Sequence, residues 1–456
     1  MTGLGFAKIA GGLALVAGLL SANISARAQT RMANQDTLRM ELGADAYDSD
    51  RASLPQVKVA ILDNGFAGYE AGRDLLPEST ELVVPPLAMP SPDSHGLGMA
   101  QILWGITGRP KEGPKFYLLN TQGFTRFRSA IDFVVNQHID VVVYAQNWFF
   151  GSNFDGQGFL NAEVNRATSA GAIWINSSGN LHNLVYAQDI LPENSSTSFL
   201  KLPGPYDTLQ FENALDSNTI NITLSWNDFA ESSEYNTTKD LDLFLYNAQG
   251  TAIAFPNKIQ KGEAPSNRPD DQRSSHARES ATLTLDAGVY SIKIKDQSGN
   301  FVSSDKMRLV LFSEKGNSLR FKNGTGRGSA VEVLPPADNP NVITVGDCSG
   351  LSSSNTSSRG GWELMAQKPD VVIADSLVRF TDGSQSFGSS NAAALMGGVV
   401  SLMKAHNNLL TATALKDYVA LNIPTEMSNR YGDDCRGQKI WRSPQPSLLD
   451  QLLARP

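Results

Sequence analysis

The run Val57-Lys58-Val59-Ala60-Ile61-Leu62, closed by Asp63-Asn64-Gly65, decides the fold. Apart from Lys58 it is unbroken aliphatic chain, the mark of a strand buried on both faces rather than one. Three further runs share that character: Lys115-Phe116-Tyr117-Leu118-Leu119, Ile139-Asp140-Val141-Val142-Val143-Tyr144 and Ala172-Ile173-Trp174-Ile175-Asn176. Helical spacing fills the intervals, starting at His95, then over Ala130 to Gln137 and over Phe159 to Ala170. Short apolar strands alternating with helices predict an α/β fold, a mostly parallel sheet flanked by helices. The pattern resumes near Ala330 with Val342-Ile343-Thr344-Val345 and Val371-Val372-Ile373, then a long apolar helix from Asn391 to His406. In such sheets functional groups gather at the carboxyl ends of the strands, where Asp63 and Asn180 fall.

Between residues 186 and 329 the character changes. Thr219 to Leu224, Asp240 to Tyr246, Thr282 to Leu285, Tyr290 to Lys295 and Arg308 to Phe312 alternate or run β-rich. Turn signals such as Asn247-Ala248-Gln249-Gly250 and Asp286-Ala287-Gly288 separate them, and Lys258 to Glu279 reads as a polar loop. Period-2 strands at this spacing predict an antiparallel β-sandwich inserted into the α/β domain. The chain therefore divides into a signal peptide at 1–28, a polar, irregular N-terminal segment at 29–54 and a discontinuous α/β domain at 55–185 and 330–426. The inserted sandwich occupies 186–329, and a C-terminal tail 427–456.

Lys8, the apolar run Ile9 to Leu20 and Ala26-Arg27-Ala28 are the parts of a secretory signal, with cleavage expected after Ala28. A helix of that apolar length rises about 18 Å against a hydrocarbon layer of about 30 Å. The alternative is an uncleaved anchor or an apolar N-terminal helix. No later apolar run is long enough to span a bilayer, so the mature chain is expected secreted or periplasmic, without stable membrane insertion and as a monomer. The 456 residues are 41% hydrophobic and 18% charged, which excludes a collagenous, coiled-coil or wholly disordered chain. A net charge of −8 leaves no excess of cations for a phosphate backbone, so no nucleic-acid partner is expected. Cys348 and Cys435 can pair in an oxidising compartment or remain free thiols; sequence does not decide between them. Two cysteines with no histidine cluster make no zinc site.

Four segments carry chemistry together. Asp63 ends a buried strand, His95 heads a helix, Asn180 follows a strand in Ser177-Ser178-Gly179-Asn180, and Ser390 opens an apolar helix in Gly388-Ser389-Ser390-Asn391-Ala392-Ala393. Taken singly, each is the cap or turn residue its position favours. Together they are the parts of an acyl transfer: nucleophile, base, orienter and oxyanion donor. A serine hydroxyl is a weak nucleophile at neutral pH until a base takes its proton, and an imidazole can take that proton and return it to the leaving amine.

The order and flanks of these segments resemble the subtilisin-like serine proteases, the subtilases. The resemblance runs from Val57 to about Leu181 and from about Ala330 to Leu421. The family's D-S/T-G appears as Asp63-Asn64-Gly65, and H-G-T-H-V-A-G as His95-Gly96-Leu97-Gly98-Met99-Ala100-Gln101. A-A-G-N is Ser177-Ser178-Gly179-Asn180, and G-T-S-x-A-A-P-x-V-A-G runs from Gly388 to Gly398. Asn341 to Gly346 and Lys368 to Val372 look like two further family stretches. Gly98, Ser389 and Ala394 depart from the motif without removing a catalytic atom, and Ala374-Asp375-Ser376 stands where A-P-G is usual. The resemblance implies a subtilisin-like fold with Asp63 as orienter, His95 as base, Ser390 as nucleophile and Asn180 as oxyanion donor.

Gln146 to Gly151 replaces the family's S-L-G-G substrate edge, which makes Trp148 and Gly151 candidate substrate contacts; Trp148 and Phe150 fit a cleft wall or a core equally. Asp240 and Asp242 offer oxygens of the kind Ca²⁺ takes, though alternating carboxylates on a strand are ordinary surface, and no cofactor is required. The stretch from Gln29 to Gln56 is too short for the folded pro-domain that secreted relatives carry. The reading is a secreted serine endopeptidase acting on protein or peptide substrates. The alternative is a catalytically inactive binding protein on the same scaffold, and the inserted sandwich either contacts substrate or is a passive appendage.

Overall fold

A computed structural model describes residues 31–48, 56–83, 91–108, 113–190, 199–232, 237–260, 273–274, 276–316, 318–322, 331–348, 357–360, 367–428 and 435–454. The expected export signal lies outside these residues, as does much of the expected polar loop after Lys258. The first half runs α1 (Gln35–Leu42), β1 (Lys58–Asp63), a single turn α2 (Tyr69–Gly72), β2 (Glu81–Val83), α3 (His95–Ile106), β3 (Lys115–Asn120), α4 (Phe124–Asn136), β4 (Val141–Tyr144), α5 (Phe159–Ser169) and β5 (Ile173–Ser177). The central stretch holds β6 (Val185–Asp189), β7 (Leu209–Asn213), β8 (Asn218–Trp226), β9 (Leu241–Tyr246), β10 (Ala252–Ile253), β11 (Ile259–Gln260), β12 (Arg273–Ser274), β13 (Arg278–Leu285), β14 (Gly288–Asp296), β15 (Lys306–Ser313) and β16 (Leu319–Phe321). It ends with β17 (Ile343–Asp347), β18 (Val371–Ile373), β19 (Val378–Arg379), β20 (Gln385–Ser386), α6 (Ser389–His406), α7 (Ala412–Asn422) and α8 (Pro446–Leu453).

Seven strands form one sheet in the order β18-β17-β5-β4-β1-β3-β2, and every pairing in it is parallel. Alternate residues of each strand face opposite cores, which is why the runs read as continuously apolar. Val59, Ile61, Val141, Val143 and Ile175 join α3 and α6 on one face. Ala60, Leu62, Val142, Tyr144 and Trp174 join α4 and α5 on the other. Between β5 and β17 the chain builds two antiparallel sheets, β10-β9-β14-β7-β16 and β13-β8-β15-β6. Their inner residues, among them Leu243, Leu245 and Ile292 from one and Ile222, Leu224 and Leu309 from the other, pack in a single apolar layer.

The N-terminal end of the chain differs from the expectation. The N-terminal segment is not irregular: α1 buries Leu38 and Leu42 in the main core, and Arg39 donates to the Ile106 carbonyl at the end of α3. The spacing of Leu38 and Leu42 is one helical turn, a signal hidden among polar neighbours. Within the C-terminal tail, residues 435–454 pack onto the α/β layers. Ile440 bridges to Val372, Trp441 is buried, and α8 packs against α6 and α7. Cys348 and Cys435 are joined in a disulfide, their Cα atoms 5.0 Å apart across a sequence separation of 87, so the pairing left open by sequence is made. Among the described residues no helix is long and apolar enough to cross a membrane.

Candidate active site

Asp63 ends β1 and His95 opens α3, and the loop between them brings the two elements together. The Gly96 N–H donates to the Gly65 carbonyl at 3.1 Å. A Cβ on Gly96 would lie 2.6 Å from the Cβ of Asp63, so only glycine lets the helix begin this close to the strand. His95 Nδ1 stands 2.8 Å from Asp63 Oδ2. The other carboxylate oxygen, Oδ1, accepts from the Asn64 N–H at 2.8 Å and from Gln146 Nε2 at 2.9 Å. Asp63 is completely buried, so these donors stand in for water. Asp93 anchors the helix end, its Oδ1 accepting the His95 backbone N–H at 2.9 Å. Burial works to lower the His95 pKa, but the charge and hydrogen bond of Asp63 outweigh it, and Asp93 adds in the same sense. The imidazole is therefore held above its ordinary value.

Ser390 lies in the first turn of α6. The chain enters that helix through Gly388, whose φ of +115° is closed to residues with a Cβ. Ser389 then fixes the amide of Asn180. Its N–H and Oγ donate to Asn180 Oδ1 at 3.1 and 2.9 Å, which fixes Oδ1 as the acceptor and Nδ2 as the donor of that amide. The first N–H groups of an α-helix have no acceptor within it, and that of Ser390 is one of them. Ser390 Oγ donates to the Ala145 carbonyl at 3.2 Å and not to His95. Ala145 and Gln146 are consecutive, and Gln146 Nε2 lies 3.2 Å from His95 Nδ1. The serine and the Asp63–His95 pair thus contact consecutive residues after β4.

The two expected substrate contacts lie elsewhere. Trp148 does not face the cleft: it is buried, its indole N–H donates to the Tyr144 hydroxyl at 2.8 Å, and its ring packs edge-on to Phe127 and Phe150. An apolar residue after a strand end fits core and cleft alike, and here the buried hydroxyl of Tyr144 decides between them. Gly151 is also buried, with a φ of +97°, and a Cβ on it would strike Leu160 of α5. The residue that sequence reading missed is Gln146. An amide side chain two residues past the buried strand β4 was the available signal. Among the described residues no group of three or more His, Cys, Asp or Glu is placed to hold a metal ion.

No protein-family model matches the sequence, and no curated protein matches it. Solved structures do. The CspB protease of Clostridium perfringens aligns with a TM-score of 0.51 at 14% identity, covering 90% of this chain and 100% of that one. The nisin leader peptidase NisP of Lactococcus lactis aligns at 0.37 and 14%, covering 91% and 92%. MycP1 of Mycobacterium smegmatis aligns at 0.39 and 15%, covering 96% and 88%. The likeness is one of fold.

Proposed function

We propose, from the premise that this chain has the subtilisin-like fold, that it is a serine endopeptidase working through an acyl-enzyme. The observation that carries the reading is the Asp63–His95 contact at the carboxyl edge of the sheet; Asn180 bonded to Ser389, and Ser390 bonded to Ala145 beside the Gln146 that reaches Asp63, support it.

Ser390 Oγ must leave the Ala145 carbonyl to reach His95, and catalytic contacts of this kind often form only when substrate arrives. As Oγ bonds to the peptide carbonyl carbon, His95 Nε2 takes its proton. Asp63 keeps the Nδ1 proton in place and offsets the imidazolium charge. The carbonyl oxygen becomes an oxyanion, which Asn180 Nδ2 and the Ser390 N–H accommodate. The C–N bond then breaks, the amine leaves with the proton from His95, and water repeats the sequence to release the acid. The raised pKa of His95 means that the neutral base is restored only as pH climbs past the usual imidazole value.

The test is labelling with a fluorophosphonate probe. Reaction at Ser390, lost in Ser390→Ala together with peptide hydrolysis, is the expected result; a folded, unlabelled wild-type protein overturns the proposal. That outcome would favour the second reading, an inactive binding protein, whose supporting observation is the Ser390 hydroxyl engaged with Ala145. Export is part of the proposal, and a mature N-terminus at Gln29 in the secreted protein checks it.

A further inference from the structure

The proposed nucleophile and oxyanion donor open onto a pocket whose walls come from three parts of the chain. One edge is the segment after β4, the other the segment after β5, and both Ser390 and Asn180 line the mouth. Asn147 crosses from the first edge to the second: its Nδ2 donates to the Ser177 carbonyl at 3.1 Å. Its Oδ1 lies so near the second edge that a Cβ on Gly179 would be 2.9 Å away. The remaining wall is aromatic. Phe149 and Phe312 stand with ring centroids 5.7 Å apart, and both are almost wholly buried. Phe312 belongs to β15 and so comes from the antiparallel layers, not from the parallel sheet. Those layers also hold the backbone behind Phe149, since Ser225 Oγ of β8 donates to its carbonyl at 3.5 Å. The free volume left is about 10 Å³, room for about one water molecule.

We infer that Phe312, with Asn147 and Phe149, restricts the substrate to a small residue (glycine, alanine or serine) on the acyl side of the cleaved bond. This rests on Ser390 being the nucleophile, because the carbonyl it attacks places the adjoining side chain in this pocket. A methyl group suits a space of that size. A leucine or phenylalanine side chain must instead displace Asn147 from Ser177 or part the two phenyl rings, and close-packed walls resist that. The antiparallel layers thereby set specificity from a segment remote in sequence from both Asn180 and Ser390.

Peptide substrates identical except for Gly, Ala, Ser, Val, Leu or Phe at the acyl-side position, with a fluorogenic amine as leaving group, test this alongside fluorophosphonate labelling. Wild-type protein should give kcat/KM for Ala at least about 100-fold above Leu and Phe. Phe312→Ala and Asn147→Gly should each raise the Leu and Phe values relative to Ala at least about tenfold, with Ser390 still labelled by the probe. Asn147→Gly serves if Phe312→Ala fails to fold. A labelled wild-type enzyme that cleaves after Leu or Phe as readily as after Ala overturns the inference and leaves the serine chemistry standing. So does an unchanged profile in a folded, labelled variant. Failure of the wild-type protein to label removes both.

Discussion

Asp63 and Glu279 are both carboxyl groups shut away from water, one at the carboxyl edge of the parallel sheet, the other within the antiparallel layers. Asp63 receives donors from Asn64, Gln146 and the His95 imidazole. Glu279 receives two neutral donors, the Lys258 N–H and the Gln260 amide. Burial dominates around it, Asp240 and Asp242 add repulsion, and its carboxyl is pushed up to about 8. Asp240 is pushed up to about 7, first by burial and then by Asp242. Asp240 Oδ1, Gln260 Oε1 and Asp296 Oδ2 have no hydrogen-bond partner among the described residues. A buried carboxyl holds its charge only where donors or a cation replace water. One region surrounds its carboxyl with donors, while the other shelters acids that burial pushes toward the neutral form.

The largest break in that comparison comes from Asp63→Asn. It keeps the shape but reverses one hydrogen-bonding role, and kcat for peptide hydrolysis should fall by about 10⁴-fold. The pH dependence sharpens the result. His95 is held above its ordinary pKa by Asp63, so the acid limb of the wild-type rate should lie above the usual imidazole range and move down in the variant. Unchanged limb positions would show that the contact does not tune the base. If Asn180 is the proposed oxyanion donor, Asn180→Ala should cost about 10²–10³-fold in kcat with KM little altered, because that charge exists only in the transition state. A loss confined to KM would place Asn180 in substrate binding instead. Gln146→Leu removes one of the three donors to Asp63, and kcat should fall about tenfold with the peptide-size preference intact. Equal kcat in that variant would mean that two donors suffice.

The parallel sheet was legible because its strands are apolar without alternation, and the placement of Asp63 at a strand end and of His95 and Ser390 at helix starts because each sits at an element's end. Gln146 and Phe312 were not, for different reasons. Gln146 matters through a contact to Asp63 that only the pairing of β1 with β4 creates. Phe312 ends a continuous apolar run, Leu309 to Phe312, and only the tertiary meeting of β15 with the segment after β4 sets its ring against Phe149. Trp148 erred in the opposite direction, since its amphipathic ring suits a cleft equally until Tyr144 supplies a partner. The helix α1 was obscured by polar residues between its two buried leucines. Sequence pattern thus reported burial along an element well, and contacts between elements poorly.

The smallest expected effect tests the other side of the comparison. With its pKa raised, Glu279 keeps its proton in the folded chain up to about pH 8, while in the unfolded chain it loses the proton near 4.5. Over that window the unfolded state binds fewer protons, so unfolding becomes easier as pH rises, the reverse of a paired carboxylate. Below about 4.5 both states are neutral at this site and the penalty vanishes. Glu279→Gln preserves an acceptor for Lys258 and Gln260 but cannot ionise. Urea unfolding at about pH 5 and about pH 8 should show wild-type protein weakened at the higher pH by up to a few kcal/mol, and the variant weakened less. Equal slopes in the two proteins would mean that water reaches Glu279 and that the two carboxyl sites are solvated alike.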